Sequence, residues 1–62
     1  MNYGPMTPTE MRDKATACER LAETLSHETD RHFMHQAAGQ WREMALQIEA
    51  IQADERRIRG LR

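Results

Sequence analysis

Met11, Cys18 and Leu25 recur every seven residues, and the next member of that series would be His32. The apolar pattern instead resumes at Met34, Trp41 and Ile48, two residues late. At about 100° per residue, an unbroken helix would carry the two series on faces roughly 100–120° apart. A break between them lets both series face one another. The segment "SHETDRHFMH", residues 26–35, holds the residues that restart a helix, Ser26, Thr29 and Asp30, although it has neither glycine nor proline. The slip therefore predicts two helices and a turn.

The first helix has a complete start signal in "MTPTEM". Thr7 caps, Pro8 occupies the first helical position where its missing N–H costs nothing, and Glu10 closes a capping box. Met6 and Met11 fall where a hydrophobic staple would join them. From there Met11, Ala15, Cys18, Ala22 and Leu25 step by four and three, with Leu21 widening the stripe. Arg12, Asp13, Glu19, Arg20 and Glu23 take the other side.

In the second helix the stripe runs through Met34, Ala37, Trp41, Met44, Ile48, Ile51 and Ile58, with Phe33, Ala38 and Ala45 beside it. Arg56, Arg57, Arg59 and Gly60 are C-terminal signals, because cations offset the negative end of the helix dipole. The expected organisation is an extended arm over residues 1–6 and a helical hairpin over 7–62. Helix one covers about 8–25, the turn 26–29 and helix two about 30–59. The fold class is all-α.

Folding at the turn sets Cys18 near Trp41, Ala15 near Met44 and Met11 near Ile48, small residues against large ones. At about 1.5 Å per residue the helices span roughly 27 and 45 Å, so helix two overshoots. Its Ile58 then has no partner unless the arm with Tyr3 folds over it. Sixty-two residues, 39% of them apolar and three aromatic, sit near the lower limit for a self-sufficient core. Such scaffolds usually add a disulfide, a metal or a second subunit. The single cysteine excludes an internal disulfide and fits a reducing, cytoplasmic setting. We therefore expect a homodimer that closes as an antiparallel four-helix bundle. Its core and interface would use Met11, Cys18, Leu25, Phe33, Met34, Trp41, Met44, Ile48, Ile51 and Ile58. A further strip, His35, Gly39, Leu46, Ala50 and Ala53, lies on the other side of helix two.

The stretches "KATACERLA" and "AAGQWREMA" resemble a group of short, uncharacterised bacterial helical proteins. These pair an A-x-x-C-x-x-L-A helix with one bearing A-x-x-x-W-x-x-M-A. The matching residues are Ala15, Cys18, Leu21 and Ala22, then Ala37, Trp41, Met44 and Ala45. The resemblance covers about half the chain and excludes the arginine-bearing tail. It implies a two-helix hairpin and no assigned activity.

Other chemistry is weighed against this frame. His32 and His35 are three apart, a spacing that suits paired metal ligands, and Glu28 precedes His32 by four. His27 sits in the turn, no cysteine is near, and both helix-two histidines fall away from the stripe, so neither a metal site nor a cofactor is expected within one chain; metal-bridged assembly through His32 and His35 of two subunits is a further alternative reading. A pH switch at His32 is opposed by the same bland reading of polar residues around a turn. Cys18 lies in a packed stripe, where a thiol is inert. The last seven residues, "RRIRGLR", hold four arginines, and Arg56, Arg57, Arg59 and Arg62 are the candidate contacts to an anionic partner. With a net charge of −1 and no aromatic residue to stack bases, nucleic-acid binding is the weaker reading. Nucleophile–base pairs and phosphate-binding glycine loops are absent, so no enzyme is expected. No apolar run reaches membrane length and "MNYGPM" lacks the regions of a signal peptide.

Overall fold

A computed structural model describes residues 5–60, which form two helices in antiparallel contact, α1 (Pro8–Thr24) and α2 (Glu28–Gly60). The expected contribution of Tyr3 lies outside the described residues. The start of α1 follows its sequence signal. The Thr7 hydroxyl accepts from the Glu10 N–H at 3.2 Å, and the Glu10 carboxylate accepts from the Thr7 N–H at 3.1 Å. Pro8 occupies the first turn, and Met6 is half-buried beside a buried Met11. The Thr7 N–H, together with the Thr7 hydroxyl donating to the same carboxylate oxygen at 3.0 Å, holds the Glu10 carboxyl below its ordinary value.

The turn is shorter than expected. It consists of Leu25, Ser26 and His27, and α2 begins at Glu28 rather than near Asp30. Leu25 is extended, with φ −88° and ψ 137°, and its N–H still donates to the Ala22 carbonyl at 3.2 Å. His27, and not a serine, threonine or aspartate, supplies the first carbonyl of α2, accepting from the Arg31 N–H at 3.0 Å. The carbonyls that α1 leaves over are collected from below. One Arg31 guanidinium nitrogen donates to both the Leu25 and Ser26 carbonyls at 3.1 Å. A charged donor replaces the missing cap side chain, while Glu28 and Asp30 suit the positive end of α2.

The innermost residues of the hairpin are the small ones. Ala15, Ala22, Ala38 and Ala45 are 0–1% exposed, Met11 is 9% exposed, and among the described residues no larger side chain is fully buried. Each helix contributes two alanines seven residues apart, so the backbones approach closely and bulkier groups are displaced to the margins.

α1 begins at Pro8, and Ile48 and Glu49 are the last half-buried residues of α2. Beyond Glu49 nothing on α2 is even half-buried, which leaves residues 50–60 as an overhang of about 16 Å. The molecule measures 56 × 27 × 12 Å, so its thickness is that of one helix. Its radius of gyration is 15.5 Å, against about 11 Å for a compact chain of this length. Among the described residues no helix is long and apolar enough to cross a membrane.

The alanine rows yield a test. Ala15→Leu inserts three carbons where no space remains, and should destabilise the hairpin by about 1–3 kcal/mol. Leu46→Ala on the exposed side should change stability by less than about 0.5 kcal/mol. Urea unfolding followed by circular dichroism at 222 nm measures both.

Candidate functional site

A helix flank is set by whether a residue follows or precedes an inward position. Arg12 and Glu19 follow Met11 and Cys18 on α1; Arg42 and Glu49 follow Trp41 and Ile48 on α2. These four join across the hairpin. Arg42 donates to both oxygens of Glu19 at 2.9 and 2.6 Å, and Arg12 makes the same two-pronged contact with Glu49. The pairs link positions 23 and 37 residues apart, a step of seven on each helix in opposite directions. Helical side chains lean toward their own N-terminus, so on antiparallel helices each arginine leans toward its partner. One face of the hairpin is thereby closed by charge.

The opposite face is open. Leu21 precedes Ala22, and Ala37 and Met44 precede Ala38 and Ala45; Ile51 and Ile58 continue the same row along the overhang. Half-buried Leu25, Met34, Trp41 and Ile48 border it from the inside. Leu21 is 49% exposed, Met44 39%, Ile51 54%, Phe33 65% and Ile58 66%. Phe33, Met44, Ile51 and Ile58, expected in a core or interface, are thus not part of any core within one chain. The physical reason is the close approach: the contact between two helices is filled by Ala38 and Ala45, which the stripe reading had placed at its edge. Their seven-residue spacing, matched by Ala15 and Ala22, is the signal that points to them.

The chain exposes 5439 Å², whereas a compact monomer of 7.3 kDa exposes about 4,200 Å². That excess is larger than the roughly 800 Å² each partner buries in a standard interface. Leu46, on the other flank, is exposed and stands alone among large apolar residues there.

Other candidates do not converge. His27, His32 and His35 are all exposed. Among the described residues no three His, Cys, Asp or Glu side chains are grouped to hold a metal ion. His35 instead lies near the Glu19–Arg42 pair, where its charge adds to the lowering of the Glu19 carboxyl. Cys18 is a free, half-buried thiol. In the tail, Arg57 bonds Asp54 at 2.8 Å and Arg56 contacts its own backbone at Gln52 at 3.5 Å, so these cations belong partly to the helix itself. Arg62 lies outside the described residues. Surface hollows among the described residues include one lined by α2 between Gln36 and Gln47 and one lined by α1 between Asp13 and Thr24.

Comparison with protein-family models, curated proteins and solved structures finds no match to this chain.

The paired guanidinium groups hold the Glu19 and Glu49 carboxyls below their ordinary value of 4.5, chiefly by hydrogen bonding. A lowered carboxyl contributes stability that is complete above 4.5 and is lost as pH falls through its folded value. A chain carrying Glu19→Gln and Glu49→Gln should therefore unfold at lower urea than the native chain at pH 7. The gap should be small, since both pairs are solvent-exposed, and should close as pH drops below 4.5. Urea midpoints across a pH series check this.

Proposed function

We propose that this chain is a small self-associating interaction protein, whose unit is an antiparallel homodimer of hairpins, four helices in all. One observation carries the reading: a hairpin one helix thick, charged on one face, leaves its large apolar residues uncovered on the other. A helix or sheet must bury its apolar side against a second layer, and a two-helix chain has no second layer of its own. A second copy supplies it. The four alanines sealed between α1 and α2 each hide one methyl, whereas burying Met44, Ile51 or Phe33 is worth about 1.5–3 kcal/mol per side chain. Most of the available hydrophobic stabilisation is therefore reached only on association. The lone thiol of Cys18 suits a reducing, cytoplasmic setting. The role assigned is assembly or partner binding through that face, without catalysis.

Light scattering coupled to size-exclusion chromatography should give twice the 7.3 kDa chain mass at micromolar concentration. Met44→Glu with Ile51→Glu should return the mass to that of one chain. A concentration-independent monomer for the native chain would overturn the proposal. Addition of a chelator should leave the dimer intact.

A further inference from the structure

Ala37, Met44, Ile51 and Ile58 stand seven residues apart on α2 and make a row about 32 Å long. Its first half flanks the part of α2 that α1 covers, and its second half lies on the overhang. Building on the self-association proposed above, we infer which surfaces meet. The occupant of this row is the α2 of a second copy, running antiparallel, with the two-fold axis at the level of Gln47 and Ile48. The two α1 helices then lie end to end along the rod instead of stacking on one another, and the four-helix assembly is staggered.

The row itself locates the axis. Its midpoint falls between Met44 and Ile51, so rotation about that level sets Met44 opposite the partner's Ile51. It also sets Ala37 opposite the partner's Ile58. The small member of the row meets a large one, and every member is covered. A two-fold interface must be self-complementary in this way.

The length of α1 gives a second, independent reason. Half-burial on α2 ends at Ile48 and Glu49, so coverage by α1 ends there. An axis at Gln47 and Ile48 therefore starts the partner's α1 where the first one stops. Each overhang of residues 50–60 then runs beside the other hairpin. Stacking the hairpins in full overlap would place the axis near Gly39 and Gln40, and would leave Ile51 and Ile58 of both copies in water.

Charge selects the direction. From Phe33 to Ile51 the row and the residues bordering it, Gln40, Trp41, Gln47 and Ile48, carry no charge, so a copy meets no like charge there. Arg56, Arg57 and Arg59 crowd one end of α2. Parallel pairing would gather both sets at one end, whereas antiparallel pairing sends them to opposite ends and aligns the helix dipoles favourably.

A nitroxide on Arg57→Cys, in a chain carrying Cys18→Ala, reads the arrangement directly. Arg57 lies about 100° round α2 from Ile58, and its side chain is 74% exposed. Pulsed dipolar spectroscopy should give a distance between the two labels of about 30 Å. A distance near 50 Å, expected for full overlap, or below about 20 Å, expected for parallel pairing, would overturn the staggered arrangement while leaving the dimer standing. A monomeric mass at all concentrations would overturn both. Ile58→Asp in the otherwise native chain supplies a second readout that needs no label. Staggered pairing predicts a dimer Kd raised about thirtyfold or more, with helix content retained. An unchanged Kd would count against the inference, because full overlap leaves Ile58 in solvent.

Discussion

The close approach of two backbones, permitted by alanine at Ala15, Ala22, Ala38 and Ala45, governs the rest of this molecule. Side chains this small let α1 and α2 pack along their length, yet they hide little surface in doing so. Larger apolar groups cannot enter the contact and are pushed to its margin. Trp41, Ile48, Met34 and Leu25 end half-buried, and Met44, Ile51 and Phe33 lie beyond them. A hairpin of this kind has a defined shape without having a core of ordinary size.

Electrostatics then distinguishes the two faces. The Arg12–Glu49 and Arg42–Glu19 pairs lie on the same flank and share one register. Exposed pairs contribute modestly to stability, so their larger effect is on specificity. They fix how α1 slides against α2, and they occupy one face with charge. The other flank carries Lys14 on α1 and Glu55 on the overhang, but from Phe33 to Ile51 its α2 row is uncharged and largely apolar. The two flanks are thus chemically unlike, a different matter from how strongly the hairpin itself is held.

The polar features that first draw attention serve the scaffold. Arg31 closes the turn by donating to the Leu25 and Ser26 carbonyls. His27 provides the carbonyl that opens α2, and His35 sits by an ion pair. Arg57 answers Asp54 within the last turns of α2. Each of these is a local arrangement of a helix end or flank. The apolar row is what points outward.

The helical class, the start at Thr7–Glu10 and the break after Leu25 are all legible in the chain, because capping chemistry and seven-residue periodicity are local properties. The two-residue slip between Leu25 and Met34 is enough to require a turn. The length of that turn is not local: it depends on Arg31 reaching back from α2 to the Leu25 and Ser26 carbonyls. Which stripe residues face inward was likewise undecided by periodicity, since Met44 and Ala45 are neighbours on nearly the same arc. Only the packed pair of helices chose Ala38 and Ala45 for the contact and left Met44, Ile51 and Ile58 outside. A close contact admits small side chains and excludes large ones, and closeness is a property of two helices together, not of either sequence segment alone.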